Sequence, residues 1–341
     1  MSDSTQAAGE TEGKKKSSFL LQWGLGILLT GVAVFILTRV ISWEELKTAF
    51  STVSPGTLAV CMGIYLFSMG LRALAWQTLL QRRVSMGRAW LVMCEGYFLN
   101  NILPFRLGEI GRAFLMGRRT GMGMLNVLPT IVVERAYDLA FAAALLLSTL
   151  PFVLKMEWAR PVAILVLGLI ILGLFGMYMA ARHRAKLEAW LGRLAERSGL
   201  VRRYVLPQLH AVLDGFAVLT RFELFAISVI ALGLSWFTAI FRDWIVLRDL
   251  SAGAPFWWAL LAISASNLGG ALPSMAASLG TFEGAATGAM VLAGAAPEVG
   301  LAYALIIHVI HLIVSTVLGL IGLSQEGESL GNLITKLRGA R

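Results

Sequence analysis

Three groups of ionisable residues stand inside otherwise apolar sequence, each with a spacing that chemistry could use. Glu134, Arg135 and Asp138 form the first. Glu134 and Asp138 are four apart and share a helix face, and Arg135 reaches Asp138 at a separation of three. Fourteen charge-free residues (120–133) precede the trio and sixteen (139–154) follow it. Charges so deep in apolar sequence are costly and mark either a polar pathway or structural pairing. One reading is an ion-pair network that locks helix packing. The other is a site for a charged cargo. Arg72, Arg106 and Arg112 are the candidate partners for the carboxylates.

The second group is Arg106, Glu109 and Arg112. Spacings of three put all of them on one helix face, with one carboxylate between two guanidiniums. Arginine holds phosphate bidentately and does not lose its charge. The alternative is a juxtamembrane arginine set that fixes topology. The third group is the segment from Pro273 to Glu283, where Glu283 is the only charge between Asp249 and Glu298. Such an acid is protonated, paired with an arginine or part of a proton path, with Asn267 as a polar neighbour. His308 and His311, three apart, read either as a metal or proton site or as a packed pair hydrogen-bonded to a neighbouring helix. The sequence holds no His-Glu-x-x-His motif, no Cys/His ligand set and no Gly-Lys-Ser/Thr nucleotide loop, so no cofactor is expected.

The elements that carry these groups are membrane helices. Of the 341 residues, 57% are hydrophobic and 14% charged, against about 25% charged in ordinary soluble domains. Mean hydropathy is +0.74. Charge-free runs cover Ser17–Thr38, Pro161–Ala181, Leu250–Phe282 and Val299–Gln325. A helix crosses a bilayer with ~20 apolar residues, whereas a membrane β-barrel shows ~10-residue alternating segments, and none appear. The expectation is an all-α, polytopic helical integral membrane protein with about 7–9 membrane elements. The expected spans are Phe19–Ile41, Thr57–Leu80, Met122–Leu154, Pro161–Ala181, Phe222–Ile240, Ala254–Leu272, Gly284–Ala296 and Leu301–Leu323. The first is read as an uncleaved span, because no small-residue cleavage site follows it. Residues 1–18 are expected to be a disordered cytoplasmic tail, 19–323 the transmembrane domain and 324–341 a polar C-terminal tail. Cys61 and Cys94 read as small buried hydrophobes.

The formal net charge of +9 does not point to nucleic acid, because the bases sit where membrane topology uses them. Lys14, Lys15 and Lys16 precede the first span and place the N-terminus in the cytoplasm. Segment 182–221 carries eight bases against Glu188, Glu196 and Asp214, a net of +5, and is expected on the same side. Within it Leu187, Trp190, Leu191 and Leu194 form an apolar stripe flanked by Arg184, Arg193 and Arg197. That stripe suits an interfacial helix, with a solvated connector as the alternative. The loop after Pro104 is also basic, so the run Ala89–Pro104 is expected to be re-entrant or broken rather than a full span. There is an echo between Asn100-Asn101-Ile102-Leu103-Pro104 with Gly108-Glu109, and Gly269-Gly270-Ala271-Leu272-Pro273 with Gly280 and Glu283. Paired Gly/Pro-interrupted segments in two halves point to a binding site at a repeat interface.

These residues also carry a resemblance. Asn100-Asn101-x-x-Pro104-x-Arg106-x-Gly108-Glu109-x-x-Arg112, then Glu134-Arg135-x-x-Asp138, then Pro273…Gly280…Glu283 resemble the signatures of the lysylphosphatidylglycerol synthase transmembrane-region family, also described as flippase-like membrane proteins. The resemblance covers about residues 20–325. It implies a lipid-handling domain of the bacterial inner membrane, in a family linked to aminoacyl-phospholipid flipping, hopanoid biosynthesis and lipid-linked sugar metabolism. The residues carried over as substrate-binding are Asn100, Arg106, Glu109, Arg112, Glu134, Arg135, Asp138 and Glu283. The third segment here is less glycine-rich than the family's usual pattern. Residues 324–341 are too few for the soluble aminoacyl-transferase domain of full-length synthases, so lysine transfer is not expected. The expected function is a lipid transporter or flippase-like protein. The alternatives are a membrane-embedded transferase or an accessory subunit in hopanoid or polyprenyl-linked lipid biosynthesis. The expected partners are membrane lipids, lipid-biosynthesis enzymes and a second copy of the chain.

The charge asymmetry yields a topological prediction. With Cys61 and Cys94 replaced, a cysteine introduced by Ser198→Cys should resist an impermeant thiol reagent in intact cells and react after lysis. Ready labelling from outside inverts the orientation.

Overall fold

A computed structural model of the protein describes residues 43–103, 106–153, 159–197, 206–271 and 276–325. The expected span Phe19–Ile41 and both expected tails lie outside these residues, apart from positions 324 and 325. All regular structure among the described residues is helical. The order is α1 (Trp43–Thr52), α2 (Pro55–Leu79), α3 (Met86–Ile102), α4 (Leu107–Thr120), α5 (Met124–Val153), α6 (Ala159–Arg182), α7 (Arg184–Arg197), α8 (Leu206–Phe216), α9 (Phe222–Leu250), α10 (Phe256–Ala271), α11 (Thr281–Leu292) and α12 (Pro297–Gln325). Short 3₁₀ turns at Ala217–Thr220 and Ala276–Ser278 precede α9 and α11.

Three of these helices, α2, α9 and α12, are long and apolar enough to cross a membrane. At 1.5 Å per residue their 25, 29 and 29 residues reach about 38–44 Å, more than the ~30 Å hydrocarbon core. Local sequence starts them well. Ser54 caps α2, its Oγ accepting the Thr57 N–H at 3.0 Å, and Pro55 fills the first position, where a missing N–H costs nothing. α9 runs ten residues beyond the expected span and carries Arg242 and Asp243, whose mutual bonds let a buried stretch continue past its charges. Leu172, Phe175, Ile230 and Phe237 project outward, as a lipid solvent permits.

The bundle packs in pairs. α2 lies along α9, α3 along α12, and α5 against α4, α6, α8 and α10. The Ser68 and Ser235 hydroxyls, 2.8 Å apart, join α2 to α9. Thr57 donates to Asp249 Oδ2 at 2.6 Å near one end of the same pair. Cys61 and Cys94 are fully buried within this core.

Two helical hairpins interrupt the bundle. α3 turns back into α4, so the basic stretch read from sequence as a loop is a helix packed on its predecessor. α10 turns back into α11 in the same manner. Each hairpin closes on a glycine. A Cβ at Gly108 would lie 2.2 Å from the Gly96 carbonyl oxygen and 2.5 Å from the Asn100 nitrogen. A Cβ at Gly269 would lie 2.4 Å from the Ala285 Cβ. At the tips the backbone is strained. Arg106 (φ 53°), Ala277 and Ser278 (φ 57° each) adopt left-handed conformations that non-glycine residues avoid.

Segment 182–221 contains the expected amphipathic helix as α7 and a second helix, α8. Trp190 is 59% exposed on α7. Arg184 bonds Glu188 at 2.6 Å and pairs with Asp214, tying α7 to α8. Both bonds raise the Arg184 pKa above its ordinary value, the one to Glu188 most.

Hairpin closure is testable. Gly108→Ala should lower stability by about 1–3 kcal/mol, because backbone rather than a flexible side chain meets the new methyl. Gly288→Ala on α11, with open space around its Cβ position, should be neutral or slightly stabilising. Thermal unfolding in detergent compares the two, and equal melting temperatures would contradict this packing.

Candidate functional site

The centre of the molecule is built around α5. One turn of it presents Glu134, Arg135 and Asp138, and the partners arrive from other helices. Glu134 is fully buried and pairs with Arg112 from α4, whose side chain is 2% exposed. The Arg112 guanidinium lies over the Trp76 ring, 4.2 Å from its centroid, and the indole N–H donates to Thr130 Oγ1 at 3.1 Å. Glu134 also accepts from Arg135 at 3.0 Å and faces Arg72 of α2 at 3.7 Å. Asp138 receives both Arg72 terminal nitrogens, at 2.5 and 3.2 Å, and the Trp236 indole N–H at 2.9 Å. Arg135 reaches Asp138 at 3.1 Å.

From Arg135 the network opens outward. Its Nε lies 3.4 Å from Glu109, which lies 3.7 Å from Arg106. Arg106 in turn donates Nε–H to the Gly270 carbonyl at 2.9 Å, so the tips of the two hairpins touch through this side chain. Arg72, Arg106, Arg112 and Arg135 face Glu109, Glu134 and Asp138, which leaves one positive charge in surplus. The surplus lies toward the open end, where the Arg106 and Arg135 side chains are 34% and 25% exposed.

That open end is a cavity of two adjoining compartments, each about 200 Å³. The outer one is lined by Asn100, Asn101, Arg106, Glu109, Gly270 and Ser278. The inner one is lined by Ser68, Arg72, Ser235, Trp236, Arg242 and Asp243. Tyr65, Tyr97, Arg135, Asn267, Phe282 and His311 border both. Together the compartments reach the lower part of the ~300–1,000 Å³ range of small-ligand sites.

The structure therefore sorts the residues expected from sequence. Asn100, Arg106, Glu109 and Arg135 line the cavity. Arg112, Glu134 and Asp138 stand behind its wall as a pairing network. The spacing argument for Arg106, Glu109 and Arg112 needs correction. Arg106 precedes the helix in a left-handed conformation, and Arg112 is buried against Glu134, so they do not flank Glu109 on one open face. Glu283 is also corrected. It caps α11 by accepting the Gly280 N–H at 2.8 Å, pairs with His308 Nδ1 and lines neither compartment. His308 and His311 serve different partners. His311 stacks on Tyr65 and its Nε2 lies 2.8 Å from Arg242 Nη1. Among the described residues no group of three or more His, Cys, Asp or Glu stands where it could hold a metal ion.

Sequence reasoning named Arg72 only as a partner and passed over Tyr65, Tyr97 and the Arg242–Asp243 pair. Arg242 holds Asp243 through Nε and Nη2 at 2.8 and 2.6 Å, and Tyr303 donates to the same carboxylate at 2.9 Å. Two adjacent opposite charges inside an apolar run were the available signal.

The model of the lysylphosphatidylglycerol synthase TM region matches residues 23–319. The chain belongs to that family. It is a multi-pass membrane protein related to flippase-like members, as the signatures around Arg106 and Glu134 implied. It is also similar to the glycosyltransferase AglD of Haloferax volcanii, with 24% identity over 86% of this chain and 53% of that protein. The chain thus spans about half the length of that relative. No solved structure matches.

The buried pair makes a stability prediction. Arg112→Met should cost about 1.5–3 kcal/mol, because Glu134 loses its closest partner and keeps only Arg135 and Arg72. Arg112→Met combined with Glu134→Leu should recover most of that loss, because both charges leave together. Thermal unfolding in detergent reads both, and a wild-type melting point for Arg112→Met alone would rule out the pairing as a structural element.

Proposed function

We propose that this chain is a membrane-embedded lipid-handling subunit that serves a transferase in polyprenyl-linked lipid biosynthesis. Its cavity takes the phosphate-bearing head group while the tail stays among lipid tails. The observation that carries the reading is the surplus positive charge at the open end, where Arg106 and Arg135 reach the cavity with donors to spare. Arginine meets a phosphate through two parallel N–H bonds that a lysine ammonium does not reproduce. The similarity to a glycosyltransferase over about half its length supports a membrane half that presents a lipid substrate to a catalytic half. No catalytic step is assigned to this chain itself.

The hairpins supply the topology of this reading. Their arms of 17, 14, 16 and 12 residues measure about 26, 21, 24 and 18 Å, all short of a ~30 Å hydrocarbon core. We read both as re-entrant, entering from opposite sides and meeting at Arg106 and Gly270 as two halves of a repeat. Irregular backbone at that depth is tolerated where protein or a wet cavity covers it. Segment 182–221 then lies on the cytoplasmic leaflet, with Trp190 and the α7 bases at the interface. Translocation of the same lipid is the second reading, favoured by the strained backbone at both tips.

The test is lipid retention. Wild type, Arg106→Lys and Arg106→Gln are purified at matched folded abundance, and bound phospholipid and polyprenyl phosphate are quantified by mass spectrometry. Arg106→Lys should lose part of the bound lipid and Arg106→Gln about tenfold or more, in line with ~1.5–3 kcal/mol for a hydrogen bond to a charged group. Full retention in both variants removes the head-group site from this cavity.

A further inference from the structure

The two compartments differ in what they leave unsatisfied, and the difference reports on the ligand. In the outer one the arginines outnumber the acid. In the inner one the charges are answered by fixed partners, apart from Arg135, which borders both. Arg72 spends both terminal nitrogens on Asp138. Arg242 spends Nε and Nη2 on Asp243 and turns Nη1 to His311. Asp138 also accepts from Trp236, and Asp243 from Tyr303. Two balanced pairs, Arg72–Asp138 and Arg242–Asp243, therefore wall the inner compartment, with no carboxylate left for an ammonium group. Three guanidiniums on its wall (Arg72, Arg135 and Arg242) further disfavour a cation.

What the inner compartment does offer is neutral hydrogen bonding beside aromatic faces. The Tyr65 and Tyr97 hydroxyls bond no other group among the described residues, although both side chains line the cavity. Asn267 uses its amide nitrogen on the Ile263 carbonyl at 2.8 Å and keeps its own oxygen open. Ser68 and Ser235 also line it, with their hydroxyls already bonded to each other. The rings of Trp236, Phe282 and Tyr65 complete the wall. An acyl or isoprenoid chain placed here would leave the Tyr65 and Tyr97 hydroxyls and the Asn267 oxygen unpaired, at a cost. A polyhydroxyl ring answers both features, because its hydroxyls donate and accept while its C–H faces pack on aromatic rings.

We infer that the inner compartment is a subsite for a sugar carried on the phosphate that Arg106 and Arg135 hold, so that the preferred ligand is a glycosylated lipid phosphate rather than an aminoacylated lipid. The inference rests on the phosphate reading above and narrows it to one substrate class. The phosphate sits in the outer compartment, Arg135 borders both groups, and the sugar faces Tyr65, Tyr97 and Asn267.

The experiment uses the full chain in detergent and three probes. These are citronellyl phosphate, the same lipid bearing glucose on its phosphate, and lysylphosphatidylglycerol. Dissociation constants come from native mass spectrometry or microscale thermophoresis. The glucosylated probe should bind about tenfold tighter than the bare phosphate, the scale of one or two added hydrogen bonds. Lysylphosphatidylglycerol should bind more weakly than either. In the double variant Tyr65→Phe/Tyr97→Phe, which removes two unpartnered hydroxyls and keeps both rings, the tenfold preference should fall toward one. Equal binding of glucosylated and bare phosphate, a preference that survives the double variant, or tightest binding of the lysyl lipid each overturns the sugar subsite. Those results leave phosphate binding and its sensitivity to Arg106→Gln standing. Loss of binding to both phosphate probes, with no effect of Arg106→Gln, takes down the phosphate reading and the subsite together.

Discussion

A carboxylate with no access to water has to be neutralised where it stands, and Glu134 is such a group. Its side chain is fully buried and meets guanidiniums from three helices: Arg72 of α2, Arg112 of α4 and Arg135 of α5. Leaving it unpaired costs several kcal/mol, so these helices are held at distances set by hydrogen bonds rather than by loose apolar contact. The hairpin follows from this demand. Arg112 reaches Glu134 only because α4 folds back along α3 into the protein. The same pairing absorbs most of the arginine charge and leaves its remainder at Arg106 and Arg135.

A second neutralised centre, Arg242 with Asp243, stands across the inner compartment. It uses Tyr303 and His311 as further partners, so α9 and α12 are tied beside the cavity much as α2, α4 and α5 are. Glu283 closes a third, smaller contact, joining the start of α11 to α12 through His308. Apart from Arg106 and Arg135, the cavity is thus walled by groups whose charges are already committed. That is why its few uncommitted donors and acceptors say so much about an occupant.

Much of this was legible in the sequence. The lengths of apolar runs marked α2, α5, α6 and α12 to within a few residues, because a bilayer sets a minimum helix length. The trio at 134–138 was legible because charges are so rare in such sequence. The basic charge after Pro104 was legible too, but not that its residues form a helix packed back on α3. Pairing partners were less legible. Helical spacing puts Arg106 and Arg112 on one face, but Arg106 lies outside the helix, and a change of backbone conformation at one residue is not written in periodicity. Nor does sequence distance reveal that Glu283 meets His308, or that Tyr65 and Tyr97 border one space. Those juxtapositions arise from packing between distant helices.

The glycine contacts inside the hairpins carry a mechanical consequence. With Gly108 against the Gly96 carbonyl and Gly269 against Ala285, neither pair of arms has room to slide or bend locally. Each hairpin is a stiff wedge. The volume between the wedges therefore changes only when one rocks whole against the long helices, pivoting about the segments that join it to its neighbours. The Arg106–Gly270 hydrogen bond, which joins the tips, is the part of the assembly that such rocking would strain first.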